Sequence, residues 1–222
     1  LPECRLSLKT EDAAEARSKY SVRELETKDI RRIVELYQSN NRLRSGTVIR
    51  DVEEWDGFER GSSFGTEAEP YVVTEDNDKV VGYFVFDADE EKTTVSEVGY
   101  ESKDIFDTMI KAFACRAEEQ ETEYINLVMP PDHPLAVYCR RYGCHVSINY
   151  DKNGGGMMRI MNLHAMLTKI GSELSRRLAS SHLNEVSCKI GIATQEFDTE
   201  VIEVKEGKVN ILGGKDGNNV EW

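Results

Sequence analysis

Apolar and polar positions change period several times along the chain, and each change predicts an element. Residues 1–19 are polar and charged without a sustained apolar stripe, and read as a connector. Residues 21–24 form a short strand candidate. From Thr27, a residue suited to capping, Ile30, Ile33, Val34 and Tyr37 recur at helical spacing until Ser39-Asn40-Asn41 stops the run. Residues 51–58 predict a second short helix anchored by Trp55 and Phe58. The period then shortens: 71–74, an acidic turn at 75–78, and 80–86 read as strand, turn, strand, with a third strand at 93–98. Ser102 caps a helix whose stripe is Ile105, Phe106, Met109, Ile110, Phe113 and Ala117, a face built to lie on a sheet. A strand at 124–129, a short helix at 134–142 and a strand at 144–150 follow. This order predicts an α/β domain of the α+β type, a mixed sheet with helices on both faces.

Asn153-Gly154-Gly155-Gly156 is the clearest break. Beyond it, 157–162 reads as a strand, and Leu163, Met166, Leu167, Ile170, Leu174 and Leu178 give an amphipathic helix. Stretches 186–193, 200–204 and 208–212 alternate as strands, with Glu206-Gly207 as a hairpin turn. One helix and three or four strands bury a modest core, so this second α+β unit is expected to lean on the first domain or to be incomplete.

Charge narrows the function classes. Lys and Arg number 28 against 41 Asp and Glu, a formal charge of -13. Binding a phosphate backbone requires a dense basic face, so nucleic acid is not an expected partner. No apolar run approaches the roughly 20 residues that span a bilayer, and no membrane partner is expected. Five scattered cysteines (4, 115, 139, 144 and 188) argue for reduced thiols and a cytoplasmic location. Cys139-x4-Cys144-His145 has no second ligand pair at suitable spacing, so no metal is expected. Arg42, Arg44 and Arg50 form a small basic cluster, most simply salt-bridged to Asp51, Glu53 and Glu54, or else aimed at another domain or an anionic ligand. The four histidines are too dispersed to make a site.

Three stretches carry a family resemblance: Arg44-Ser-Gly-Thr-Val-Ile-Arg50 with Trp55, Pro130-Pro-Asp-His-Pro-Leu135, and Gly156-Met-Met-Arg159-Ile-Met-Asn162-Leu163. With the element order, they make the chain resemble the GCN5-related N-acetyltransferase superfamily. More specifically it resembles the C-terminal half of the Eis-like (enhanced intracellular survival) acetyltransferases. That resemblance implies a second acetyltransferase-like domain at 20–155 and the start of a sterol-carrier-protein-like domain at 156–222. It also implies a longer parent protein with an upstream acetyltransferase domain that holds acetyl-CoA, a small amine acceptor, and a homo-oligomer.

Active members of this superfamily cradle the coenzyme A pyrophosphate with a glycine-rich loop at a helix N-terminus, where free N–H groups and the dipole hold the anion. The corresponding loop here is Gly99-Tyr100-Glu101-Ser102-Lys103-Asp104, with one glycine, no arginine and two carboxylates beside the single Lys103. Gly99, Tyr100, Ser102 and Lys103 are the cofactor-contacting candidates, on a loop expected to bind none. The family's general acid is a tyrosine four residues before a Gly-Phe pair. Here Gly143 is followed by Cys144 and the fourth residue back is Cys139, which leaves Tyr138, one place off, as the candidate acid. The expected function is therefore a structural or acceptor-pocket segment of an acetyl-CoA-dependent N-acetyltransferase, its acidic surface suited to a cationic amine. The alternative is a non-enzymatic module whose sterol-carrier-like unit holds an apolar ligand.

Overall fold

Alternation of side chains across a pleated sheet organises the larger of two units. The computed structural model describes residues 3–44, 47–59, 67–87, 93–150, 160–193 and 199–213. It divides into residues 1–155 and 156–222. The strands of the first unit are β1 (Glu3–Lys9), β2 (Ser21–Glu24), β3 (Ala68–Glu75), β4 (Lys79–Asp87), β5 (Thr94–Tyr100), β6 (Tyr124–Val128) and β7 (His145–Asn149). They form one seven-stranded sheet in the order β2-β3-β4-β5-β6-β1-β7, antiparallel except for the parallel pair β5–β6.

Successive residues of β4 point to opposite faces, so Phe84 and Phe86 enter one core while Tyr83 and Val85 enter another. The first core is closed by α3 (Phe106–Glu119) and α4 (Pro134–Cys139), through Phe106, Met109, Ile110, Phe113 and Leu135. The second is closed by α2 (Ile30–Asn41), through Ile33 and Leu36, and by Phe58 from the following segment. Helices thus cover both faces of a mixed sheet. Each large apolar side chain removed from water contributes about 1.5–3 kcal/mol before entropy is charged against it.

Residues 1–19 are not a connector. β1 lies between β6 and β7 and bonds to both, with Leu6 opposite Leu127 on one side and Val146 on the other. Cys4, Leu6 and Leu8 are buried while Arg5, Ser7 and Lys9 take the other face. Three apolar positions at period two suffice for a strand with one polar face. The next turn, α1 (Thr10–Ala13), buries Thr10 and Ala13.

Residues 51–58 also differ from expectation. The Trp55 N–H reaches the Asp51 carbonyl at 2.8 Å, a single helical turn that goes no further. Gly57 ends it at φ 81°, backed against Ile30. The turn entering α2 is fixed not by Thr27 but by buried Asp29, whose carboxylate accepts the Glu26 N–H at 2.9 Å.

The second unit packs α5 (Leu163–Ala179) on a three-stranded antiparallel sheet of β8 (Cys188–Ile192), β9 (Glu200–Lys205) and β10 (Lys208–Leu212). Its core is Leu163, Leu167, Ile202 and Val204. The expected strand at 157–162 lies outside the described residues up to 159, and 160–162 are not strand. Asn162 instead caps α5, accepting the Ala165 N–H at 2.8 Å. Glu206 and Gly207 make the β9–β10 turn at φ 50° and 72°, as a tight hairpin requires. The glycine break at 153–156 also lies outside the described residues. Among the described residues no helix is long and apolar enough to cross a membrane.

Candidate functional site

The sheet opens at one place. Among the described residues β5 and β6 are paired at Thr94–Asn126 and Val95–Leu127 and part beyond Val95. The β4–β5 register shows why: Val85 faces Glu97 but Phe86 faces Val95, so Ser96 is an extra residue in the ladder. Such a bulge bends its strand. The Ser96 hydroxyl turns back to the Val85 carbonyl at 3.3 Å.

Parting strands leave backbone groups without ladder partners, and each must be answered. At the end of β5 the Asn40 side chain of α2 answers both polar groups of Tyr100. Its amide donates to the Tyr100 carbonyl at 2.9 Å and its oxygen accepts the Tyr100 N–H at 2.8 Å. The Tyr100 ring packs edge-on against Phe106 at 4.9 Å and against His133 at 6.0 Å, with rings at 90°. Since His133 follows β6 and precedes α4, this aromatic contact bridges the parted strands. Burial, reinforced by the positive charge of Arg44, lowers the His133 pKa to about 4. Its neutral ring accepts the Leu135 N–H at Nδ1, 3.2 Å away, and so caps α4.

Several polar groups of the loop following β5 are engaged within the protein. The Glu101 N–H donates to the Val81 carbonyl at 2.8 Å, and the Asp104 N–H donates to Ser102 Oγ at 3.3 Å. The Glu101 carboxylate pairs with Arg32 at 2.8 Å and lies 3.7 Å from Lys79. Ser102 caps the turn into α3 and donates to Asp104 Oδ2 at 2.9 Å. Gly99 is a packing glycine: a Cβ there would collide with the Tyr83 ring. Lys103 is exposed and makes no ion pair among the described residues. A pyrophosphate needs free N–H groups and a positive local charge. Here the N–H groups of Tyr100, Glu101 and Asp104 are taken and two carboxylates flank the loop, so these three amides are not free to hold a pyrophosphate.

Tyr138 lies on α4 against α3. Its hydroxyl donates to Asp107 Oδ1 at 2.8 Å, and the Tyr142 hydroxyl donates to the same oxygen at 2.6 Å. Desolvation and then the Asp107 carboxylate raise the pKa of both phenols. The ring also stacks edge-on with Phe106 and lies under the Arg141 guanidinium. Tyr138 therefore ties α4 to α3, its one proton directed at a carboxylate. The candidates Gly99, Tyr100, Ser102 and Lys103 are contiguous at the mouth of the parted strands, while Tyr138 approaches them through Phe106.

The strongest polar constellation was not legible as a site. Arg50 is 8% exposed, and it donates to both oxygens of Glu97 at 2.6 and 2.7 Å. The Tyr83 hydroxyl donates to the same carboxylate at 2.7 Å. The guanidinium stacks on Tyr37 at 3.9 Å and Trp55 at 4.4 Å. Arg50, in the irregular segment after α2, thus pairs with β5 rather than with neighbouring Asp51, Glu53 or Glu54. Burial of the Cys139 thiol, reinforced by Cys144, pushes its pKa up to about 12. Among the described residues no three His, Cys, Asp or Glu side chains converge as a metal site would require.

No protein-family model matches the sequence, and no curated protein matches it. Solved structures do. A GCN5-related N-acetyltransferase from Anabaena variabilis aligns over 96% of this chain and 53% of its own at 16% identity, with a TM-score of 0.55. A conserved protein of unknown function from Enterococcus faecalis, a probable N-acyltransferase, aligns over 96% and 52% at 16% identity, TM-score 0.58. A GCN5-related N-acetyltransferase from Kribbella flavida aligns over 100% and 51% at 12% identity, TM-score 0.53. The chain spans about half the length of each. Its fold is that of the GCN5-related N-acetyltransferases.

Proposed function

We propose that this chain is the part of an acetyl-CoA-dependent N-acetyltransferase that does not hold the cofactor. It serves as a scaffold and as one wall of the acceptor site in an Eis-like parent acting on primary amines. The observation that carries this reading is the Asn40 clamp on Tyr100, which satisfies the strand-end groups where β5 leaves β6. The self-engaged loop at 101–104 supports it. In this reading an upstream acetyltransferase domain supplies the glycine-rich loop and the acid. The net acidic surface favours approach of an ammonium group.

Calorimetric titration of acetyl-CoA into the 222-residue chain at low salt tests the proposal. The expected result is no heat of binding up to high micromolar ligand. Micromolar affinity, lost in Lys103→Glu, would overturn it and make this domain a cofactor-binding acetyltransferase.

A further inference from the structure

A second concavity, separate from the parted strands, lies between the flank of α3 and the edge of the sheet. Its volume is about 400 Å³, within the ~300–1,000 Å³ usual for small-molecule sites. It exists because the backbone is held open there while the facing side chains are short. Thr108, almost fully buried on α3, accepts the Lys19 N–H at 3.1 Å and so fixes the strap that leads into β2. One and two turns further on, α3 lines the concavity with the short side chains of Ala112 and Cys115, while Lys111, Arg116 and Glu119 form its rim. The floor is aromatic: Tyr71 stacks on Phe84 at 5.5 Å and 15°, with Phe86 edge-on to Tyr71 at 5.8 Å and 77°. A flat apolar body would extend that ring packing.

The charges at its rim differ in how they are compensated. Arg116 is matched by Glu69, its partner in an ion pair. Lys111 donates to the carbonyl of Ala14 at 2.9 Å, a neutral acceptor, so its charge is left uncompensated by that bond. Glu119, two turns along the same helix from Lys111 and roughly 12 Å away, makes no ion pair among the described residues. The concavity therefore has a cationic end at Lys111, an anionic end at Glu119, and an aromatic floor between them.

We propose that this concavity binds a small aryl carboxylate, its ring between Tyr71 and the Ala112–Cys115 side of α3 and its acid group at Lys111. At ~30 Å³ per water-sized group, the space holds roughly a dozen non-hydrogen atoms, the size of a bicyclic aromatic acid. This site is independent of whether the domain binds coenzyme A.

Cys115 provides a reporter, because it lines the concavity and is exposed, and exposed Cys188 in the second unit serves as the internal control. The rate of iodoacetamide alkylation of each thiol in the 222-residue chain is followed by mass spectrometry, with and without 2-naphthoate. At ten times its dissociation constant the ligand slows the Cys115 reaction about tenfold and leaves Cys188 unchanged. Within Lys111→Met, comparing rates with and without ligand, protection by 2-naphthoate is lost while protection by the neutral isostere 2-naphthamide remains. Ala112→Trp, which fills the space, abolishes protection by both. Cys115 alkylated at the same rate with 2-naphthoate present overturns the proposal. So does protection that survives Lys111→Met undiminished, which would mean an apolar site without acid recognition.

Discussion

Arg50 shows how one side chain can tie two elements that sequence distance separates. It brings the irregular segment after α2 onto β5, and its planar guanidinium meets the Glu97 carboxylate with two parallel bonds. Removing one partner strands the other: Arg50→Ala leaves the Glu97 carboxylate with the Tyr83 hydroxyl alone and the Tyr37 and Trp55 rings without the guanidinium they stack on. We expect a loss of about 3–5 kcal/mol in urea unfolding, with Arg50→Lys recovering little because an ammonium cannot make the bidentate contact. Removal of the exposed Arg176 and Arg177 pairing on α5, through Glu173→Ala, has no measurable effect beside it. His133 gives a second residue-scale expectation, in pH. Its folded pKa of about 4 lies below the ~6.5 of an unfolded histidine. Between those values the unfolded chain binds the extra proton, so stability is complete above ~6.5 and falls as pH drops toward 4. At pH 5 the cost is about 2 kcal/mol. Asn at position 133 retains a capping acceptor for the Leu135 N–H without titrating. The drop in urea midpoint between pH 7 and pH 5 should therefore be smaller in His133→Asn than in the parent chain; equal drops would show that His133 does not carry the effect.

At the scale of elements, β1 holds the far side of the sheet together. β7 is bonded to β1 and, among the described residues, to no other strand. A chain beginning at residue 20 should lose β7 from the sheet and expose the core around Leu127 and Leu135. We expect it to bind a hydrophobic dye and unfold without a cooperative transition, whereas loss of a true connector would leave the midpoint unchanged. Leu6→Ala in the full chain provides a milder version, with a loss of about 2–5 kcal/mol. The strand was legible in Glu3-Cys4-Arg5-Leu6-Ser7-Leu8-Lys9, which alternates strictly, but its three ionic positions outweigh the apolar ones when a stripe is sought. The central elements were legible because their pattern is redundant: the α3 stripe and the β3–β4 turn each repeat one signal several times. The site was less so. Ser102 as a cap and the acidic character of the loop are local facts, readable in order. Asn40 on Tyr100 and Arg50 on Glu97 depend on contacts 60 and 47 residues apart, which spacing alone does not encode. Helix periodicity likewise overrode Gly57, whose left-handed backbone ends the turn begun at Asp51.

Across the whole molecule, apolar burial is unevenly shared. The first unit carries two cores on opposite faces of one sheet, and the larger extends from Leu6 through Phe113 to Leu135. The described part of the second unit buries Leu163, Leu167, Val201, Ile202 and Val204, while Ile170, Leu183, Val186 and Ile190 are exposed. Backbone ordering costs about 1–2 kcal/mol per residue, and small cores of this kind offset it poorly. The two units should therefore differ when separated. Residues 1–155 expressed alone should unfold in one cooperative transition, retaining the Arg50 and His133 behaviour described above. Residues 156–222 alone should give helical circular dichroism from α5 without a cooperative thermal transition. A sharp transition in the isolated second fragment would mean that its sheet and helix form a self-sufficient domain. Collapse of 1–155 would mean that the first unit depends on the second. Because the acetyl-CoA titration and the Cys115 protection measurement both concern the first unit, an intact 1–155 fragment would allow each to be repeated without the second, with protection read from the Cys115 rates with and without ligand, since the Cys188 control is absent there. The same titration result and the same Cys115 protection factor in both forms would place both behaviours in the seven-stranded domain.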